Sequence, residues 1–200
     1  MARRIPKPRV KDGIHIVNLS SYTAPEVVES KKHDWVGYGE DNMYFKYLID
    51  RYNGSPTNNA AINGIDFRWQ SIFQDKPTEY EKMKSLFKKD CMKKVCYDYK
   101  MMGQASLQII YSKDHSEIVE VSHIPVETLR AEKASNGEIK AYYYSNDWED
   151  VKPTDNLKRI SAFGTSQDGI EILYIRPYRA GYYYYSPVDY QGGLQYSELE

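Results

Sequence analysis

The strongest signal in the chain is an apolar stripe at helical spacing. Tyr80, Met83, Phe87, Cys91, Val95, Tyr99 and Met102 recur three and four residues apart, the period of one helix face. Thr78-Glu79-Tyr80-Glu81 has the form of a capping box, and Gly103 follows as a stop. The pattern predicts one helix over 78–102, roughly 37 Å long at the usual rise. Beyond Gly103 the period changes from 3.6 to 2. Alternating runs over 105–111, 118–123, 126–131, 138–144, 158–163 and 170–178 predict strands, with Asn136-Gly137 as a tight turn. This half is expected to be an antiparallel meander with one face on the long helix.

Upstream the elements are shorter. Asn42 is placed to cap a helix over 43–52 whose face carries Tyr44, Tyr47, Leu48 and Arg51, with Asn53-Gly54 as its left-handed stop. Ser55-Pro56 then restarts a helix through Ala60, Ala61, Ile62, Ile65 and Trp69. The stretch from Lys31 to Asn42 is polar and irregular, broken by Gly37 and Gly39 and anchored by Trp35, Val36 and Tyr38. The expected class is α+β: short N-terminal helices and one long helix packed on a mostly antiparallel sheet. Residues 1–24 form a flexible basic arm with a short strand over 14–19, and residues 25–200 the folded domain. Residues 191–200 open an apolar helical pattern that stops with the chain, so the domain is expected to be incomplete at its C-terminus.

Composition narrows the function classes. Lys and Arg number 27 against 28 Asp and Glu, a formal charge of −1, so any grip on nucleic acid or an anionic membrane must come from a local patch. No apolar run is long enough to span a bilayer, and the first residues lack the apolar core of a secretory signal. The two cysteines, Cys91 and Cys96, sit on one predicted helix about 7 Å apart along its axis, a poor disulfide geometry. Folding in a reducing compartment is expected.

Catalytic and metal-binding patterns are scarce. His15, His33, His115 and His123 share no ligand spacing with each other or with the cysteines, and His115 and His123 read as solvated turn and strand-end residues. Cys91 and Cys96 read as small core thiols. Gly37-Tyr38-Gly39 lacks a third glycine and a preceding strand. The acidic pairs Glu40-Asp41, Glu149-Asp150 and Glu117 with Glu120 read as solvated carboxylates. No enzyme, cofactor or metal site is expected.

Features suited to binding remain. The arm carries Arg3, Arg4, Lys7, Arg9 and Lys11 with no acid before Asp12, and Lys82, Lys89, Lys93 and Lys100 form a basic stripe on the long helix; both are candidates for weak contacts with DNA or a partner. Tyr142-Tyr143-Tyr144 and Tyr182-Tyr183-Tyr184-Tyr185 alternate across their strands and put rings on both faces. One ring pair of the second cluster is then left for a subunit interface. The rival reading of these clusters is a stacking platform for a glycan or single-stranded nucleic acid.

The segment from His33 to Gly64, in which Gly39-Glu40-Asp41-Asn42 leads into a short helix, then Ser55-Pro56 and a second helix, resembles the N-terminal region of tailed-bacteriophage portal proteins. Gly103–Tyr111 is similar to the strand after that family's long helix. Ile124-Pro125-Val126-Glu127-Thr128-Leu129-Arg130 is similar to its Pro-x-x-x-hydrophobic-Arg strand, and Tyr142-Tyr143-Tyr144-Ser145-Asn146-Asp147-Trp148 to a recurring hairpin. The resemblance implies a wing-like portion of a structural subunit in a ring, usually a dodecamer, at one capsid vertex. It further implies a channel for packaging and ejecting genome DNA. The implied partners are copies of the chain itself, the terminase large subunit, and capsid and neck or adaptor proteins, with DNA contacted non-specifically and no membrane. The implied location is the virion, and the host cytoplasm during assembly. The family's helical stem and clip would follow where this chain stops, and an inactive prophage remnant of a portal gene is the third reading.

Overall fold

The fold is taken from a computed structural model and is described for residues 27–39, 41–63, 75–165 and 169–177. Its class is α+β, with four helices, a two-stranded sheet and a mostly antiparallel six-stranded sheet among these residues. In chain order, β1 (Val27–Glu29) pairs antiparallel with β2 (Val36–Tyr38), and α1 (Tyr44–Gly54) and α2 (Pro56–Asn63) follow. Then come α3 (Pro77–Leu86) and α4 (Cys91–Met102), and the strands β3 (Ala105–Tyr111), β4 (Ile118–His123), β5 (Leu129–Ala131), β6 (Ala141–Tyr144), β7 (Lys158–Ala162) and β8 (Ile170–Ile175). The expected N-terminal arm, the strand over 14–19, the end of the second helix beyond Asn63 and everything after Pro177 lie outside the described residues.

The single helix expected over 78–102 is two helices. Phe87 is extended (φ −88°, ψ 127°) and bridges in parallel to Val121 of β4, while the Lys88 amide donates to the Val121 carbonyl at 3.1 Å. The edge of the sheet therefore takes a backbone hydrogen bond that a continuous helix would have kept for itself. Asp90 then adopts the left-handed conformation (φ 59°), a turn that Asp tolerates better than most residues. Gly103 ends α4 in the same region (φ 71°), as its position predicts. The buried side of α4 carries Cys91, Val95, Asp98, Met101 and Met102, while Tyr99 is exposed, so the stripe is rotated slightly from the expected one. α3 buries no side chain fully.

The N-terminal helices also depart from expectation in their ends. α1 does not stop on a left-handed glycine: Ser55 is extended (φ −123°, ψ 107°) because it precedes Pro56. Ser55 then caps α2 as predicted, its Oγ accepting from the Asn58 amide at 3.4 Å. The core side of α1 is Phe45 and Tyr52, with Tyr44, Leu48 and Ile49 packed beside them, and Tyr47 is exposed. Asn42 is no helix cap. It sits in the left-handed region (φ 63°) and turns its side chain toward Tyr38 and Arg130.

Strand order is β4-β3-β8-β7-β6-β5, so the sheet is not a simple meander. β3 and β4 form a hairpin, β5 to β7 form a meander, and β8 joins the two, antiparallel to β3 and parallel to β7. A parallel connection ordinarily needs a long crossover. Here β7 and β8 overlap only at Ser161↔Glu171 and Ala162↔Ile172, so the chain has little distance to retrace. Residues 126–128 make a 3-10 turn, leaving β5 shorter than the predicted strand, and β6 likewise begins only at Ala141. Asn136 (φ 53°) and Gly137 (φ 84°) form the predicted tight turn between Ser135 and Glu138.

Alternation along the strands builds the core. Leu107 and Ile109 of β3 and Val121 of β4 meet Cys91 and Val95 of α4 on one face. Ile172, Ile160, Ala162, Tyr142, Leu129 and Ala131 cluster on the other, joined by Ile124 from the β4–β5 connection. A third cluster sets Tyr38, Phe45, Tyr52 and Ile62 against Met101, Met102 and Val126. Tyr174 touches the second and third clusters, stacks on Tyr142 with ring centroids 4.8 Å apart and donates to Gln104 Oε1 at 2.7 Å.

Asp90→Ala tests the break between α3 and α4. Alanine pays for the left-handed turn, so a loss of about 1 kcal/mol is expected in denaturant unfolding. In an uninterrupted helix the same change would add about 0.5 kcal/mol.

Candidate functional site

The site that unites the most distant parts of the chain is built on Arg130. Its strand partner is Tyr143, and its side chain is buried to 2 % exposure. Arg130 Nε donates to Asn42 Oδ1 at 2.6 Å and a terminal nitrogen donates to the Asn42 carbonyl at 2.9 Å; the other terminal nitrogen donates to the carbonyls of Glu127 (3.0 Å) and Leu129 (2.8 Å). The guanidinium carbon lies 4.8 Å from the Trp148 ring centroid, 5.0 Å from Phe45 and 5.9 Å from Tyr38. It makes no ion pair with a carboxylate among the described residues. Carbonyl dipoles and aromatic faces replace its water instead. Burial still penalises the charge and pulls the guanidinium down to about 10.

Asn42 can serve this cation because of its backbone. The left-handed turn after Gly39 presents both its carbonyl and its Oδ1, and Oδ1 also accepts from the Tyr38 amide at 3.2 Å. Trp148 closes the other side, edge-on to Trp35 at 5.0 Å, and Trp35 in turn stacks on His33 at 3.5 Å. Three segments far apart in sequence thus meet: Gly39 to Asn42, Ile124 to Arg130, and Tyr142 to Trp148.

A second buried polar pair lies on the α4 side of the sheet. His123 Nε2 and Asp98 Oδ2 are 2.7 Å apart with both side chains below 10 % exposure. Nearby Glu127 has its carboxyl pushed up, first by burial and then by Asp98, with His123 and Arg130 opposing. His123 is therefore no solvated strand-end residue, and the carboxylates are not all solvated. The sequence carried the signal: Asp98 falls between Val95 and Met102 at the spacing of the buried face. Cys91 is buried and Cys96 half-buried, and burial raises both thiols, so neither is poised as a thiolate nucleophile. No group of three metal-ligating side chains occurs among the described residues.

The sequence-predicted contact residues do not come together as one stripe. Lys82 lies on α3, Lys89 in the turn, and Lys93 and Lys100 on α4, and the break at Phe87–Asp90 ends the helical register between them. Lys82, Lys89 and Lys93 are exposed and Lys100 half-buried. Arg3, Arg4, Lys7, Arg9, Lys11 and the cluster Tyr182, Tyr183, Tyr184 and Tyr185 lie outside the described residues. The first tyrosine cluster does put rings on both faces: Tyr142 and Tyr144 join the core cluster of β5 to β8, and Tyr143 lies beside Glu132. Tyr142 is buried against Tyr174, which removes it as a stacking platform. No family model, curated protein or solved structure matches the chain.

Two measurements probe this polar core. Asp98→Ala strands the buried His123 and is expected to cost about 3 kcal/mol, whereas Asp98→Leu with His123→Leu leaves no polar group unpaired and is expected to cost far less. Equal costs for the single and double variants would mean that the pair does not interact. The second concerns alkali. Burial holds the Tyr142 phenol protonated well above its ordinary range, so its contribution is complete below about pH 10, where the unfolded phenol is also protonated, and is lost as pH rises further. Arg130 acts in the opposite direction, because the folded state sheds that proton first. Tyr142→Phe isolates the phenol: the stability of the parent relative to this variant falls by up to about 1.4 kcal/mol per pH unit above pH 10, measured by denaturant midpoints.

Proposed function

We propose that the chain is a structural subunit, or the wing-like portion of one, of a tailed-phage portal ring. The observation that carries this reading is the meeting at Arg130. The segments on which the resemblance rests, Gly39-Glu40-Asp41-Asn42, the Pro125-to-Arg130 stretch and the Tyr142-to-Trp148 hairpin, supply Asn42, Arg130 and Trp148 to one buried contact set. Their role is scaffolding: a cation satisfied by carbonyls and rings fixes three segments without presenting a reactive group.

In this reading the ring surrounds genome DNA as it enters and leaves, and the outer faces dock the terminase large subunit, then capsid and neck proteins. A net charge of −1 suits the task. Every phosphate neutralised by a lysine or arginine adds salt-dependent affinity, and a channel that gripped the duplex would hinder its passage. The exposed lysines of α3 and α4 are spaced among Glu79, Glu81 and Asp90, and Lys88 is engaged with Glu120 at 2.7 Å, which keeps such contacts shallow.

The protein is expected to form closed rings in negative-stain class averages and to bind duplex DNA weakly, losing that binding by about 0.2 M salt. A strictly monomeric protein at high concentration, or tight salt-resistant binding to one DNA sequence, contradicts the proposal.

A further inference from the structure

A groove of about 440 Å³ opens between the outward side of α1 and the turns at Gly39 and Glu149. Its apolar lining is Met43, Tyr44 and Tyr47. The two tyrosine rings lie near parallel, 6.2 Å apart, and Tyr47 is exposed although Arg51 already covers part of it at 4.9 Å. The acids Asp41, Asp50 and Glu149 at the rim outnumber two cations, Lys46, which is paired with Glu149, and Arg51, which lies over Tyr47. Asp147 adds a further negative charge close enough to act on Lys46. Aromatic walls under a carboxylate rim suit the side chains of lysine and arginine, whose stems pack on rings while their charges meet the acids.

The chain carries such a ligand. Arg3, Arg4, Lys7, Arg9 and Lys11 stand together in the first residues with Ile5, Pro6, Pro8 and Val10 between them and no acid among them. The described chain begins at Val27, which pairs with Tyr38, the neighbour of groove-lining Gly39. The described chain therefore starts beside the groove, fifteen residues after the arm. Residues 12–26 span at most about 50 Å, and a linker able to bridge two sites in one chain holds them at a millimolar effective concentration. Contacts that are individually weak, each exposed cation–π or ion pair contributing a fraction of a kcal/mol, then suffice for partial occupancy.

We propose that the groove over α1 is the docking site for the chain's own basic arm, residues 3–11. The docked arm hides its cations against Tyr44, Tyr47 and the acidic rim, and the released arm offers them to phosphate or to a partner. The inference stands apart from the portal reading, since it rests only on the groove, the tether and the charges.

The test uses the full chain labelled for amide NMR at low salt. It is compared with a full-length variant carrying Arg3→Gln, Arg4→Gln, Lys7→Gln, Arg9→Gln and Lys11→Gln, which leaves the described core untouched. Docking predicts amide shift differences confined to the groove, at Asp41, Met43, Tyr44, Tyr47, Asp50 and Glu149, that disappear at about 0.5 M salt, where charges are screened within a few ångströms. A synthetic peptide of residues 1–12 added to the Gln variant should move the same resonances and saturate in the millimolar range, and Asp41→Lys with Asp50→Lys should weaken it at least tenfold. Unmoved groove amides, differences centred elsewhere on the surface, or differences that appear only as protein concentration rises would each overturn docking of the arm in its own groove.

Discussion

A buried guanidinium that forms no ion pair among the described residues is the constraint around which this fold is arranged. Taking a cation out of water costs several kcal/mol even after relaxation, so Arg130 is tolerable only if nearly all of its donors are met at once. The acceptors come from three directions. Asn42 offers side chain and backbone because its turn is left-handed, Glu127 and Leu129 offer carbonyls because the chain makes a 3-10 turn before β5, and Trp148 and Phe45 offer ring faces. Each of these local departures looks like an irregularity alone. Together they are what lets the charge stay inside.

The same logic explains which features were legible in the sequence. Elements set by local chemistry were readable: Gly103 as a helix stop, Ser55-Pro56 as a helix start, Asn136-Gly137 as a turn, and the strands that alternate. Features set by a distant partner were not. Nothing in Phe87-Lys88-Lys89-Asp90 says that Val121 will draw Phe87 out of the helix, and nothing in β8 says that it will slip between β3 and β7. Asp98 is a mixed case, since its spacing places it on the buried face but its charge argues against burial. A charged residue in an apolar stripe reads as surface until its counterpart, here His123 from a strand 25 residues away, is known.

The two buried polar centres divide the work of specifying the structure. The Asp98–His123 pair ties α4 to the hairpin edge of the sheet, and Arg130 ties the β5 edge to α1 and the 147–149 turn. Apolar packing alone would allow neighbouring registers of helix on sheet, because Leu, Ile and Val surfaces are interchangeable at modest cost. A charge that is satisfied in only one arrangement penalises the alternatives. That is a suitable property for a component of a rigid assembly, where the shape of each subunit must repeat, and it accords with the proposed structural role.

The central claim, that Arg130 is a buried cation held by the Asn42 side chain and by neighbouring carbonyls, is open to direct observation. Hydrogen exchange of its Nε proton, followed by NMR in the intact chain at neutral pH, reads the environment of that one group. The account predicts a resolved Nε resonance protected from exchange by orders of magnitude relative to free arginine, with protection lost in Asn42→Ala. Exchange as rapid as that of a solvent-exposed arginine would contradict it.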